Sequence, residues 1–219
     1  MENSTINSKM NKSEIANKVK EAKEKSKKRN FKQSVDVTLN FRDIDIESPE
    51  YKLNLNVFLP KGRGKDVNIG VFADGDMNVR AKKISRYVLD KSEIDDYAKS
   101  KRKMRAFADS CYSFISQPEL MPMIGKKWGI ILGPRGKMPI PVPANADLDS
   151  VINKLKNSVK IRSKKSLSIH VPVGTEDMSN EDIAENVIAV LNAVERQIPR
   201  EKIKSINIKT TMGPVVRLT

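Results

Sequence analysis

The hydrophobic pattern of this chain changes twice along its length, and that double change constrains the fold more than any other feature. Apolar and polar residues alternate in the stretches 35–42, 53–59, 159–162 and 167–171, near the two ends. Such alternation is typical of strands with one buried and one exposed face. The intervening run 67–72 is apolar without strict alternation, which is typical of a parallel strand covered on both faces. The sequence therefore predicts one architecture interrupted by another.

The predicted fold class is α/β and α+β in two domains. Residues 1–63 and 154–219 form an open α+β sandwich built from both termini, and residues 64–153 form an inserted, Rossmann-like α/β domain with three layers. At 219 residues the chain is long enough for each domain to bury its own core. Because the chain crosses between the domains twice, we expect a two-stranded hinge at their boundaries.

The last strand-like stretch closes the terminal domain. Ile203, Ile206 and Ile208 supply its apolar positions, and the run ends at Gly213 and Pro214, as expected for a strand that leads into a turn. Such a strand must be buried on one face by elements from earlier in the chain. We therefore expect the domain to assemble only when the C-terminus is present, and we expect the polar face of this strand to stay free for binding.

Local patterns predict the remaining elements. The apolar stripe Ile15, Val19 and Ala22 predicts an N-terminal amphipathic helix. Other expectations, by residue number, are a helix that ends near 85, short strands at 87–89 and 105–108, a helix at 94–103, a loop at 133–143, a helix near 148–155, a turn at 172–174 and a helix from about 179 to before 199.

Positive charge is concentrated in three separate segments. The formal net charge is +14, and residues 1–33, 151–166 and 198–219 carry a net +6, +6 and +4, whereas the rest of the chain carries −2. An excess of this kind attracts polyanions such as nucleic acid or an anionic membrane surface. A solvated lysine-rich surface is the alternative for any single segment, but three segments that can lie together favour a nucleic-acid surface.

The rest of the composition bears on location and partners. Cys111 is the only cysteine, so no intramolecular disulfide can form, which fits a reducing compartment. No apolar signal core is present, and no stretch approaches the roughly 20 apolar residues of a membrane helix. We therefore expect a cytosolic protein without a membrane partner.

Catalytic and metal-binding motifs are incomplete. Gly62 and Gly64 lack the third glycine of a dinucleotide loop and precede a strand instead of following one. Lys137 follows a glycine as in a phosphate loop, but Ile131 stands where that loop requires glycine and Met138 where it requires serine or threonine.

Single titratable residues favour structural roles. His170 has no second ligand nearby in the sequence, so a structural or hydrogen-bonding role is favoured, and Cys111 is expected in the core. Asp74 and Asp76 can bind a divalent ion or cap a helix, and capping is the better interpretation.

Specific RNA recognition combines clustered cations with short polar side chains and close backbone approach. Both the basic run 27–29 and the segment 164–166 would flank residues 210–213 if their strands share a sheet. Threonine hydroxyls there can read ribose 2′-OH groups, and a glycine lets an RNA backbone come close. Phe31 and Met212 fit such a surface and fit ordinary core packing equally well.

Four motifs carry a resemblance to a known family: Leu-Gly-Pro-Arg-Gly-Lys-Met-Pro at 132–139, Ile-His-Val-Pro-Val-Gly at 169–174, Thr-Thr-Met-Gly-Pro at 210–214, and Phe31 leading into the strand at 34–36. With these motifs the chain resembles the family of large-subunit ribosomal protein L1, in its archaeal form. The resemblance implies an RNA-binding domain formed by both termini and an inserted Rossmann-like domain that swings about the hinge.

The resemblance also implies a function. Members of this family bind the mobile stalk of 23S-type rRNA in the large ribosomal subunit, assist the release of exit-site tRNA, and in many cases repress translation of their own mRNA. For this chain it implies no catalytic residue, no metal and no cofactor, a cytoplasmic location on the ribosome, and a monomer when free. The RNA-contacting residues carried over by motif are Phe31, Ser34, Asp36, Lys165, Ser166, Ser205, Thr211, Met212 and Gly213.

Two positions depart from the family pattern. The family usually has a basic residue just before Phe31, where this chain has Asn30, and often one between the two prolines that flank Ile140 here. The resemblance therefore assigns no RNA contact to either position.

Two other functions stay open at this point. The inserted domain can belong to a nucleotide- or small-molecule-binding enzyme, and the basic terminal domain can belong to an RNA chaperone outside the ribosome.

Overall fold

The structure is a computed structural model that describes residues 11–45, 48, 51–163 and 166–218. The chain forms two compact units. Unit 1 comprises Met1–Lys65 and Asn157–Thr219, and unit 2 comprises Asp66–Lys156. Both antiparallel and parallel sheets are present, and the predicted mixed class is confirmed. None of the described helices has both the length and the apolar character needed to cross a membrane.

Of the helices and strands, the first three and the last five belong to unit 1, and those between them belong to unit 2. In chain order they are α1 (Lys12–Glu24), β1 (Ser34–Phe41), β2 (Asn54–Phe58), β3 (Ile69–Phe72), α2 (Gly75–Ile84), β4 (Val88–Leu89), α3 (Lys91–Ala98), α4 (Lys101–Ser110), β5 (Ser113–Ser116), α5 (Met121–Arg135), β6 (Ile140–Pro141), α6 (Leu148–Lys156), β7 (Ser158–Arg162), β8 (Ser168–Thr175), α7 (Asn180–Glu195), β9 (Ile203–Thr210) and β10 (Val216–Arg217).

Unit 1 is built on a four-stranded antiparallel sheet of order β10-β9-β1-β8 and a separate antiparallel pair, β2 and β7. The alternation in the sequence determines which face is buried. In β1, residues 35, 37, 39 and 41 are buried in one apolar core, together with the stripe of α1 and one side of α7. The polar residues of β1 lie between them on the opposite, open face. The first and last parts of the chain therefore meet in this sheet, as the late strand predicts.

Unit 2 has a four-stranded parallel sheet of order β4-β3-β5-β6. One apolar cluster places side chains of α3, α4 and α5 against the sheet, and a second cluster places α2 and α6 against it. All four residues of β3 are buried, because helices cover both faces. This is the predicted three-layer arrangement.

Four local predictions are wrong. The single helix expected at 94–103 is two helices, α3 and α4, separated at Lys99 and Ser100. Residues 105–108 lie in α4, where Met104 and Ala108 form a buried stripe one helical turn apart. Residues 133–135 form the last turn of α5 and not a loop. Residues 172–174 continue β8, where a shift in register between Val35 and Asp36 accommodates Pro172. A bulge at an edge strand is one of the few places where a sheet tolerates proline.

Candidate nucleic-acid interface

The open face of unit 1 is the outward side of β8, β1 and β9. Its polar residues lie in cross-strand rows because the register pairs Asn40 with Ser168 and Ser205, and Thr38 with His170 and Asn207. No helix covers these positions in the part of the chain that the structure describes. The face is therefore a polar surface on a rigid sheet.

Hydrogen bonds fix one of these rows. Asn40 Nδ2 donates to Ser205 Oγ at 2.9 Å, and Ser168 Oγ donates to Asn40 Oδ1 at 2.7 Å. Because the central amide holds a hydroxyl on each side, the three side chains have defined orientations before any ligand arrives.

The next row contains the only histidine. Thr38 Oγ1 lies 3.0 Å from His170 Nδ1, and the His170 side chain is exposed. The predicted hydrogen-bonding role of His170 is confirmed. Its Nε2 atom remains available for a ligand, since no other hydrogen bond to this ring is found among the described residues.

Asp36 lies on the open face near the start of β1, opposite Lys209 of β9. Partial burial raises the pKa of its carboxyl group, and electrostatic interactions with Lys209 and His170 partly offset that rise. A carboxylate in a basic surface suits contact with hydrogen-bond donors, such as ribose hydroxyls or base amino groups, and not contact with phosphates.

One end of the open face, which we call the sheet tip, consists of Phe31, Ser34, Thr211, Met212 and Gly213. Phe31 and Met212 are 51% and 59% exposed, so neither is a core residue, which decides between the two interpretations of the sequence. Thr211 Oγ1 accepts from the Ser34 N–H at 3.0 Å, and the Thr211 N–H donates to the Ser34 carbonyl at 3.0 Å. These bonds hold the turn after β9 against the start of β1.

Gly213 has a packing role that differs from the expected one. A Cβ at this position would overlap Thr210 Oγ1 and would lie 3.2 Å from Ser26. Thr210 is fully buried, and its hydroxyl donates to Ser26 Oγ at 2.8 Å. Glycine is therefore required by the protein's own packing between the turn and the end of α1, whether or not RNA comes close.

Three cations lie next to the sheet tip. Lys27, Lys28 and Arg29 follow α1 and are exposed, and no ion pair to any of them is found among residues 11–45, 48, 51–163 and 166–218. Unpaired surface cations beside exposed apolar side chains are suited to contact phosphates while the apolar groups contact sugars or bases.

The predicted site residues fall into two groups. Five of them form the sheet tip, and Asp36 lies beside them. Ser205 lies about 20 Å from them along the strands, at roughly 3.3 Å per residue. Ser166 precedes β8 at that same far end, where its Oγ accepts from the Ser168 N–H at 3.1 Å. The expectation that this segment flanks residues 210–213 is therefore wrong for Ser166, because antiparallel β8 begins opposite Asn40 and not opposite Val35. Lys165 lies outside the described residues.

The sequence prediction missed the side chains that connect the two groups. They share the open face: Asn40 and Ser168 lie in the row of Ser205, and the others lie between that row and the sheet tip, namely Thr38, His170, Asn207 and Lys209. Alternation in β1 and β9 already put most of them on the polar face, so the pattern alone was a sufficient signal for them. Gln33, which is buried behind the sheet tip, had no such signal.

A second exposed surface lies on the outer side of β2 and β7. We call it the second face, and it consists of Asn54, Asn56, Phe58, Lys160 and Arg162. Phe58 is 53% exposed. Desolvation and the neighbouring Arg162 cation both lower the pKa of Lys160. Two cations held side by side in this way favour an anionic partner.

Unit 2 does not present the features of a nucleotide site. The crevice between β3 and β5, where the strand order reverses, is the usual ligand site of such sheets. Here Gln117 Oε1 accepts from the Asp74 N–H at 2.9 Å, and its Nε2 donates to the Asp74 carbonyl at 3.3 Å, which joins the two strand ends. The Asp74 carboxylate caps α2 by accepting from the Gly75 N–H, as predicted.

The glycine-lysine motif of unit 2 is a helix end. Gly136 has φ 67° and terminates α5, with bonds from Gly136 N–H to the Gly133 carbonyl and from Lys137 N–H to the Leu132 carbonyl. Lys137 Nζ donates to the carbonyls of Ala108 and Cys111. A phosphate loop needs the N-terminal end of a helix, and this motif occupies the opposite end.

The described residues provide neither a cluster of metal ligands nor a reactive thiol. Within them, no group of three or more His, Cys, Asp or Glu side chains is placed to hold a metal ion. Cys111 is buried in the core of unit 2, as predicted, and burial raises the pKa of its thiol to about 12, which makes it a poor nucleophile.

Comparison with known proteins identifies the family. The model of the ribosomal protein L1p/L10e family matches residues 10–214. Three archaeal relatives carry the name large ribosomal subunit protein uL1. The protein of Methanobrevibacter smithii is 47% identical over 208 residues, covering 94% of this chain and 98% of the relative. That of Pyrococcus horikoshii is 46% identical, covering 93% and 94%, and that of Thermoplasma acidophilum 40% identical, covering 95% and 97%. This chain therefore belongs to the ribosomal protein L1p/L10e family.

Proposed function

We propose that this protein is a component of the large ribosomal subunit that binds the mobile stalk of 23S-type rRNA with the open face of unit 1. The observation that carries the proposal is the sheet tip, where exposed Phe31 and Met212 lie beside the unpaired cations 27–29. Family membership and the names of the relatives support the ribosomal assignment and a non-enzymatic role. On this proposal the protein acts on the cytoplasmic ribosome, needs no cofactor and is a monomer when free.

The proposed contacts are those of the two groups of site residues, Phe31, Ser34, Asp36, Ser205, Thr211, Met212 and Gly213 together with Lys165 and Ser166. Hydroxyls and a carboxylate on a rigid sheet suit base edges and ribose 2′-OH groups, and the 2′-OH groups distinguish RNA from DNA. The cations beside the sheet tip suit phosphates, so affinity falls as salt rises.

The test is binding of the isolated protein to a stalk RNA fragment and to a scrambled fragment of equal length. We expect tight binding to the stalk fragment only, with a linear fall of log affinity against log salt concentration. Equal affinity for both fragments contradicts the proposal. Co-sedimentation with large subunits at moderate salt separates a ribosomal protein from an RNA chaperone outside the ribosome.

We further propose that the second face contacts exit-site tRNA and assists its release. Its adjacent cations, its amides and exposed Phe58 have the chemistry of an RNA-contacting sheet. Replacing Lys160 and Arg162 by alanine is expected to reduce crosslinking to exit-site tRNA and to leave affinity for the stalk fragment unchanged. Lys20→Ala, an exposed lysine on α1, is the control. Unchanged tRNA crosslinking contradicts this proposal.

Repression of the protein's own mRNA is proposed to use the same open face. An mRNA segment that mimics the stalk should then compete with the stalk fragment for one site. Simultaneous binding of both RNAs, or no binding of any segment of the mRNA, contradicts this part of the proposal.

We propose that the domain formed by residues 1–63 and 154–219 folds and binds RNA without the inserted domain 64–153. The apolar core of unit 1 contains residues from that unit alone, which supports independent folding. A protein in which a short linker replaces 64–153 is expected to keep its affinity for the stalk fragment. Complete loss of folding or binding contradicts the proposed boundaries.

A further inference from the structure

Gln33 is the one large polar residue of the sheet tip region that is buried, at 1% exposure, between exposed Lys32 and half-buried Ser34. A buried amide is costly unless its donors and its acceptor are bonded. The surroundings of Gln33 therefore show what this side chain holds in place.

The side chain of Gln33 bonds to three separate segments of unit 1. Its Nε2 donates to Ser26 Oγ at 3.1 Å and to the Lys27 carbonyl at 3.2 Å, at the end of α1. Its Oε1 accepts from the Met212 N–H at 3.2 Å. The same Nε2 lies 3.3 Å from Glu176 Oε2.

The backbone of Gln33 is bonded to the same glutamate. Gln33 N–H donates to Glu176 Oε1 at 3.0 Å, and the Glu176 N–H donates to the Gln33 carbonyl at 3.0 Å. The carboxylate of Glu176 therefore accepts from both the backbone and the side chain of one residue, and it holds Gln33 in a single orientation.

These bonds join the parts of the surface that are proposed to touch RNA. Met212 lies in the turn after β9, Lys27 is the first of the unpaired cations, and Phe31 lies two residues before Gln33. Exposed side chains on three segments otherwise lose conformational entropy when they bind. A shared buried anchor places them before RNA arrives.

We propose that Gln33 and Glu176 form a positioning pair that sets the geometry of the sheet tip for RNA recognition, although neither touches the RNA. The inference rests on the proposed function of the open face. It requires an amide at one position and a carboxylate at the other, because two carboxylates would repel each other at 3.3 Å and would leave the Lys27 carbonyl without its donor.

The experiment is a double-mutant cycle of Gln33→Glu, Glu176→Gln and the two combined. Gln33→Glu is expected to weaken binding to the stalk fragment at least tenfold, mainly through faster dissociation. The double variant exchanges amide and carboxylate and keeps the net charge of the parent, so it removes the repulsion, although the Lys27 carbonyl still lacks its donor. We therefore expect it to bind at least about threefold more tightly than Gln33→Glu alone, without full recovery of the parent affinity. Gln197→Glu, at an exposed glutamine after α7, controls for added negative charge and should bind like the parent.

Amide hydrogen exchange of Met212 supplies a readout that needs no RNA. In Gln33→Met, which keeps the size of the side chain and removes its bonds, we expect faster exchange at Met212 with unchanged exchange in β9. If the parent protein shows no preference for stalk RNA but Met212 exchange still depends on Gln33, the proposed function fails while the positioning pair stands.

Two outcomes overturn the inference. The first is a folded Gln33→Glu or Gln33→Met variant that binds stalk RNA like the parent. The second is a loss in Gln33→Glu that Glu176→Gln does not reduce, since a positioning pair requires that the two changes compensate at least in part.

Discussion

The two four-stranded sheets of this protein differ in how their faces are used. The parallel sheet of unit 2 is covered by helices on both faces, and Phe72 and Phe114 of the sheet are fully buried together with Trp128 of α5. The antiparallel sheet of unit 1 is covered on one face only, and the other presents hydroxyls, amides and charges. The difference shows why binding is expected from unit 1, since a sheet with two covered faces has no face side chains left to offer, and the strand ends of unit 2 are joined by Gln117 and Asp74.

The largest expected effect is a loss of stability in unit 2 that leaves RNA binding by unit 1 unchanged. Trp128 packs edge-on against Phe72 with ring centroids 5.4 Å apart, and its Nε1 donates to the Ile94 carbonyl at 3.2 Å. Trp128→Ala should lower the free energy of unfolding of unit 2 by about 3–5 kcal/mol, because it leaves a large cavity and removes this hydrogen bond. Urea denaturation followed by tryptophan-independent signals, such as circular dichroism, measures the loss.

The matched control for this variant is Ile130→Ala on the same helix, where the side chain is 73% exposed and stability should change little. Stalk RNA affinity should stay at the parent value in both variants. A parallel loss of affinity in Trp128→Ala would show that the covered sheet also contributes to binding.

Two adjacent threonines test the distinction between buried and exposed positions within unit 1. Thr211→Val should reduce affinity for the stalk fragment on the order of 10–100-fold, because it removes a hydroxyl at the sheet tip that also bonds to the Ser34 backbone. Because these bonds are exposed to water, their loss should cost less than about 1 kcal/mol of stability. Thr210→Val should cost about 1–2 kcal/mol of stability instead, because it removes the buried bond to Ser26. Anisotropy titrations and thermal melts of both variants give the comparison, and loss of stability without loss of affinity in Thr211→Val would contradict it.

A basic triplet in each unit provides a further comparison. Replacing Lys27, Lys28 and Arg29 by alanine should weaken stalk and scrambled RNA alike and reduce the salt slope by about two to three, because each of these cations is expected to neutralise one phosphate. Replacing the exposed triplet 101–103 at the start of α4 removes the same charge from unit 2 and should leave the slope unchanged. Equal effects of the two sets would show that only net charge matters.

The smallest expected effect concerns pH. Burial raises the pKa of Asp36 above its ordinary value of 3.8, so the folded state holds the proton more tightly than the unfolded state does. The ionised carboxylate therefore costs stability, and this cost appears as the pH rises from about 4 through the folded pKa. At pH 7, Asp36→Asn should raise the free energy of unfolding by less than about 1 kcal/mol, which appears as a slightly higher melting temperature. At about pH 3 it should leave the melting temperature unchanged.

Thermal melts at both pH values test this sign. A gain that persists at the acidic pH would indicate packing and not ionisation as the cause. The variant also removes a proposed RNA contact, so its binding is expected to fall while its stability rises, as occurs where a surface is shaped for function.

Sequence patterns were sufficient for most of the secondary structure, and the exceptions have physical causes. Strands of half-buried type were predicted correctly because a period of two places every second side chain on the same face. The segment 105–108 is a helix because four residues are too few to distinguish a period of two from one of 3.6. Proline at 134 and at 172 suggested a break, but the end of a helix and a bulged edge strand both accommodate it.

The candidate site was predicted unevenly for the same reason. Exposed residues of the sheet tip follow from motifs, and the polar rows of the open face follow from alternation. The bonds of Gln33 join residues separated by 6, 143 and 179 positions, and no local pattern encodes such distances.

The sequence by itself determined the family, the interruption of one architecture by another, and which face of each outer strand is polar, because periodicity and motifs are local properties. Only the tertiary structure decided that Phe31 and Met212 are exposed, that Gly213 is required by contact with Thr210 and Ser26, and that Gln33 anchors the turn after β9. These depend on the register between β1, β8 and β9 and on the position of α1, which bring together residues from opposite ends of the chain. The polar surface therefore follows from the alternation, whereas its geometry depends on long-range packing.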